Sequence, residues 1–131
     1  MFARHLTYDR WVGNRDQPMT VDGPAWPAIQ ERIARLDARE FTMVTLAGEG
    51  EAHMAIGGGA GRYVVYATRD NMSFDNLVDP ARGAAMERVV AGGQEGEYPA
   101  RQVVSLEKAL EAAREYAETG TSSAGLQWEQ G

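Results

Sequence analysis

The chain has no cysteine, which removes disulfides, a thiol nucleophile and every thiolate metal site. It is also poor in positive charge. Lys108 is the only lysine, and 19 acidic residues against 13 basic ones leave a net charge of −6. A nucleic-acid binder needs a basic footprint, so this deficit argues against nucleic acid as a partner and permits a partner that is itself basic. Long apolar runs are missing too. Nothing approaches the roughly 18 residues of a membrane span, and MFARHLTYDRW lacks the basic-then-apolar order of a signal peptide, so we expect no membrane contact and a cytosolic location. With 44% hydrophobic and 24% charged residues, residues 1–131 are expected to form one globular domain around a single core.

What is present begins with Glu51 to Arg69, EAHMAIGGGAGRYVVYATR, the stretch around which the rest can be laid. It reads as a hairpin whose turn is glycine-rich. Gly57, Gly58, Gly59 and Gly61 are expected to supply the positive φ angles, and Met54, Ile56 and Tyr63 to Tyr66 the β-prone flanks. The second strand is apolar on both faces, which predicts a central strand covered on both sides. A glycine-rich turn can also cradle a phosphate, but a nucleotide fingerprint leads from a strand into a helix, and here a second strand follows. The glycines are therefore expected to be structural.

Arg4 to Val12 alternates His5, Thr7, Asp9 and Trp11 against Leu6, Tyr8 and Arg10, a strand with one wetter face. Gly13 to Gly23 reads as a loop. Asp22, Pro24 and Pro27 then suit the opening of a helix, with Trp26, Ile29, Ile33 and Leu36 as its buried stripe and Glu31 and Arg35 paired outside. Phe41 to Ala47 is a strand, Asp70 to Val78 a polar loop and short strand, and Glu87 to Ala91 a strand closed by Gly92-Gly93. Ser105 caps a last helix, Leu106 to Thr119, which Gly120 ends. The tail is loop-like, with Leu126 and Trp128 placed to return to the core. Strands in succession with a helix near each end predict an α+β fold, a largely antiparallel sheet of five to seven strands with two packed helices.

Sites for chemistry are scarce. His5 and His53 lack metal spacing; Glu49, Glu51 and His53 share a side only if their stretch is extended, where a solvated strand end is the plainer reading. No serine sits in a nucleophile frame, and sequence cannot rank nineteen carboxylates as acid–base pairs. Gly92-Gly93-Gln94 matches the tripeptide with which peptide release factors hydrolyse peptidyl-tRNA, but those proteins carry a strongly basic surface, and this chain is acidic. We expect no catalytic, cofactor or metal site, and no enzymatic activity.

Several pieces together carry a resemblance. They are Trp26-Pro27 with Ile29 and Leu36-Asp37, then Gly57-Gly58-Gly59 with Gly61-Arg62-Tyr63-Val64-Val65. Val90-Ala91-Gly92-Gly93-Gln94 with Tyr98-Pro99 follows, and the last are Ala109-Leu110, Ala112-Ala113, Tyr116, Gly120 and Trp128. Over about Trp26 to Trp128 the chain resembles the first-numbered immunity-protein family of bacterial polymorphic toxin systems. The resemblance implies a small α+β cytosolic protein encoded beside a toxin, often a deaminase-type or other nucleic-acid-modifying one, which it neutralises by binding. It transfers no catalytic or contact residue.

Interface anchors are usually aromatic, while charges steer association. Exposed acids beside an aromatic or amide occur in two segments expected to be loops, Asp70, Asn71, Asp75 and Asn76 after the central strand, and Gln94, Glu95, Glu97 and Tyr98 after the Gly-Gly turn. These are the expected partner-binding residues. A small-molecule-binding α+β domain and a hydrolase remain the alternatives.

Overall fold

Hydrogen bonding closes the expected hairpin and continues from it in both directions. In the computed structural model, which describes Met1 to Gly131, the strands are β1 (His5–Tyr8), β2 (Trp11–Val12), β3 (Arg15–Asp16), β4 (Met19–Asp22), β5 (Met43–Ala47), β6 (His53–Gly59), β7 (Arg62–Thr68), β8 (Phe74–Val78), β9 (Met86–Ala91), β10 (Gln94–Pro99) and β11 (Gln127–Gln130). The helices are α1 (Trp26–Ala34), between β4 and β5, and α2 (Leu106–Thr119), between β10 and β11. Seven strands form one sheet in the order β11-β8-β7-β6-β5-β1-β4, and every pairing in it is antiparallel. The fold is α+β, as the sequence predicts.

Both helices lie on one face. Leu6, Val44, Leu46, Met54, Ile56, Val65, Ala67 and Leu77 from the sheet meet Ile29, Ile33 and Leu36 of the α1 segment and Ala109, Ala112, Ala113, Tyr116 and Ala117 of α2 in one buried cluster. The alanines let α2 approach the sheet closely, so its stability comes from an apolar stripe plus well-made ends. Ser105 accepts a hydrogen bond from the Lys108 amide at 3.2 Å, and Gly120 ends the helix at φ 75°. On the opposite face the β9–β10 hairpin lies across β6 and β7, so β7 is covered on both sides as expected.

The hairpin turn is tighter than the sequence suggests. Gly59 pairs with Arg62, leaving Ala60 and Gly61 as a two-residue connection at φ 54° and 85°, the primed geometry that matches strand twist. Gly58 and Gly59 do have positive φ but lie within β6, and Gly57 does not have it. What these strand glycines provide is close approach. A Cβ at Gly57 would sit 2.5 Å from that of Ala91, and one at Gly59 would sit 2.5 Å from the Ala38 amide nitrogen. The β9 strand and the connection after α1 thus rest directly on the glycine backbone.

Several sequence expectations are corrected. The loop expected over Gly13 to Gly23 contains β3 and β4. β4 is an edge strand with all four residues exposed, so it has no alternation of burial to read. Asp22 belongs to β4, where its Oδ1 accepts from His5 Nδ1 at 2.7 Å; the residue capping α1 is Ala25, without a side-chain hydrogen bond. The first strand breaks after Tyr8, where Asp9 turns inward. Gln94 to Pro99 and Gln127 to Gln130 are strands rather than loops, β10 pairing with β9 and β11 with β8. Leu126 and Trp128 pack against the core as expected, whereas Trp26 is only half-buried, with the Arg114 guanidinium 5.6 Å from its ring centroid.

Candidate partner-binding site

The first expected segment begins at the turn between β7 and β8. Asp70 Oδ1 accepts the amides of Met72 and Ser73, both at 2.9 Å, and these hydrogen bonds hold its carboxyl below the usual aspartate range. Asn71 takes the left-handed conformation at φ 62°, and its amide donates to Thr68 Oγ1 at 3.0 Å. Asp70 therefore shapes the turn and remains ionised. Asp75 and Asn76 follow on β8 rather than in a loop, and as consecutive strand residues they point to opposite faces. Asp75 stands opposite Ala67 and Gln130, on the helix side, and Asn76 opposite Tyr66 and Glu129, on the other.

Asp70 and Asp75 converge on a solvent-open cavity of about 430 Å³ that Arg69, Tyr116, Thr121, Ser122 and Gln130 also line. Neither carboxylate is within ion-pair distance of a basic group. Tyr116 is 3% exposed and its hydroxyl has no hydrogen-bond partner. Burial pushes its pKa up to about 12, so the phenol is neutral.

The second segment differs in charge. Glu95 and Glu97 both face Arg88, at 3.5 and 3.9 Å, so their charge is partly compensated on their own hairpin. Gln94 is exposed beside the Gly92-Gly93 turn. Tyr98 is half-buried and, with Asn76, Met43, Ala55, Val64 and Tyr66, lines an apolar cleft of only about 70 Å³. The fold thus joins Asn76 to Tyr98 on one face and Asp70 to Asp75 on the other.

Sequence reasoning missed two groups. Asp9 is 8% exposed and ties several segments together. Its Oδ1 accepts the Thr42 and Met43 amides at 2.7 and 3.0 Å, and its Oδ2 accepts the Trp11 indole at 2.8 Å and the Thr42 hydroxyl. Thr42 Oγ1 in turn accepts the Gly93 amide at 2.9 Å. Tyr116 was legible as part of a buried helix face, but nothing in the sequence signals a hydroxyl without a partner. The Glu49, Glu51 and His53 side does not assemble as a metal face: Glu49 pairs with Arg4 at 3.0 Å, and His53 Nδ1 lies 2.9 Å from the Glu51 carbonyl oxygen.

The family model described as immunity protein Imm1 matches residues 15–130. The chain belongs to the Imm1 family. A comparison with curated proteins finds no match. The Imm1 match takes in both candidate segments and extends the sequence resemblance at each end, to β3 and to β11. No helix of this Imm1 protein is long and apolar enough to cross a membrane.

Proposed function

We propose that this Imm1 protein neutralises a cognate toxin domain, encoded by a neighbouring gene, by binding it in the cytosol, with no enzymatic activity of its own. The carrying observation is the pair of uncompensated carboxylates, Asp70 and Asp75, beside a solvent-open cavity of about 430 Å³. Of the two expected segments, this one combines uncompensated charge with shape; Gln94, Glu95, Glu97 and Tyr98 form the outer, Arg88-balanced contribution. The toxin class that fits is a deaminase-type or other nucleic-acid-modifying enzyme. Such an enzyme presents a basic groove to its substrate, and an acidic inhibitor is drawn to it quickly.

Co-expression with the product of the neighbouring gene, followed by co-purification and assay of the toxin, tests the reading. A stable complex that silences the toxin is expected. Reversal of charge at Asp75 should slow association several-fold at low salt and flatten its salt dependence, because steering weakens. Reversal of Glu95 with Glu97 should do less, since Arg88 already screens them. The absence of any complex, or on-rates indifferent to all three acids, refutes the proposal.

A further inference from the structure

We infer that the cavity at the C-terminal end of α2 is a seat for one arginine side chain of the toxin, an inference that rests on the binding reading above. Tyr116 is 97% buried by its 3% exposure, lines the cavity, and leaves its hydroxyl without a partner. An unpaired buried hydroxyl is costly unless something entering the site completes it. The charge around it selects the visitor. Asp70 and Asp75 outnumber Arg69 among the lining residues, and the cavity opens at Gly120 and Thr121, where the negative pole of α2 lies.

An anion would face two carboxylates; a cation is attracted by both. Arginine fits better than lysine because several kinds of acceptor surround one space: carboxylate, phenol, hydroxyl and the Gln130 amide. A guanidinium spreads five donors over a plane, whereas an ammonium places three on one point. About 430 Å³ is ample for a guanidinium on a propyl stem, and the cavity is open to solvent; the Tyr116 hydroxyl is covered in the free protein, so a small turn of that side chain accompanies entry. Arg69 stands in the lining but pairs with neither aspartate, so the seat is not already filled from within.

The test has two arms. In the first, the free protein is titrated with N-acetyl-arginine amide, N-acetyl-lysine amide and spermidine at matched ionic strength, with backbone amide NMR as readout. Saturable shifts confined to residues 69–75, 116–122 and 130 are expected, tightest for the arginine compound and lost in Tyr116→Phe and Asp75→Asn, with a melting temperature no lower than that of wild type as the folding control. No saturable shift, equal shifts in both variants, or tighter binding of spermidine overturns the arginine seat. In the second arm, dissociation of the toxin complex should accelerate roughly tenfold or more in each variant, the effect of losing a hydrogen bond to a charged group. If the wild-type protein binds no toxin, the binding reading fails while the titration still judges the seat. If the toxin leaves wild type and both variants at one rate, the seat fails and the reading stands.

Discussion

Replacing Asp9 with Asn removes a charge and changes almost no volume, so its effect isolates the hydrogen-bond network. Each carboxylate oxygen of Asp9 accepts two donors, the amides of Thr42 and Met43 on one and the Trp11 indole and Thr42 hydroxyl on the other. An asparagine offers one acceptor oxygen and one NH₂ group. Whichever way the amide turns, two of the four donors lose their acceptor. The less damaging orientation keeps the oxygen on the two backbone amides, because the half-buried indole can turn toward water and the hydroxyl can rotate. That leaves the loss of two hydrogen bonds to a charged acceptor, each worth about 1.5–3 kcal/mol before relaxation, and an expected net cost of about 2–4 kcal/mol. Asp9→Ala also orphans the two backbone amides and should cost about 4 kcal/mol or more. Against the ~5–15 kcal/mol typical of a domain, neither change is small. Urea unfolding monitored by tryptophan fluorescence measures both, with an unchanged slope as evidence that the folded and unfolded states are otherwise comparable. If both variants lose less than about 0.5 kcal/mol, the network does not hold β1, β5 and the β9–β10 turn together, and the reasoning fails.

Gly59→Ala should cost about 2–4 kcal/mol because its Cβ would meet the backbone of Asp37 and Ala38, whereas Gly61→Ala, also at positive φ but in open space, should cost only about 1–2 kcal/mol; equal thermal shifts would refute the close-approach argument. Ala60→Asn places Asn-Gly in the two-residue turn at φ 54° and 85° and should stabilise by about 0.5–1 kcal/mol, read as a rise in melting temperature. Asp37 is pulled upward in pKa by burial, but amides of Phe41, Arg39 and Glu40 together with the Arg39 charge outweigh this and place it below its ordinary 3.8. Its folded pKa is depressed, so its contribution is complete above the unfolded value and disappears as pH falls through the folded one; the stability gap between wild type and Asp37→Asn should close in urea melts as pH is lowered below the ordinary 3.8. Asp75→Leu should raise the melting temperature by a few degrees while weakening the toxin complex, and loss or gain of both together would show that position 75 is not a site held against the core.

The parts of the fold legible in the sequence are those where burial follows a period. Val44 and Leu46 alternate with half-buried neighbours on β5, and Ala109, Ala113, Tyr116 and Ala117 recur at helical spacing with Ser105 and Gly120 at the ends. β4, β10 and β11 escaped because they lie at edges or in a two-stranded hairpin. Glu95 and Glu97 are as much at home in an exposed strand as in a loop, since neither side of β10 must be apolar throughout. Asp9 sits on what alternation marks as the wet face, yet its donors at Thr42 and Met43 lie 33 and 34 residues away, a relation no local pattern carries. The candidate site was half legible for the same reason. Polar composition marks Asp70 and Asp75, but their meeting with Tyr116 depends on where α2 stops against β7 and β8.

That meeting point is where the apolar core runs out. On the helix side of β8, Leu77 is fully buried, and two residues earlier the same face presents Asp75 opposite Ala67. On α2 the buried positions end with Tyr116 and Ala117, and Gly120 turns the chain away. A leucine at 75 would continue the stripe over Ala67 and the Tyr116 ring and bury apolar area at about 25 cal/mol per Å². An aspartate there gives up that burial and keeps a charge near a low-dielectric wall. Asp75 is exposed but has no basic partner, whereas Glu31 and Glu118 on the helices are partly compensated in solvent by Arg35 and Arg114, so an arriving cation feels Asp75 more strongly than those paired acids. The polar group that weakens the edge of the core is therefore the one best placed to strengthen an interface, and stability and binding should change in opposite directions when it is replaced.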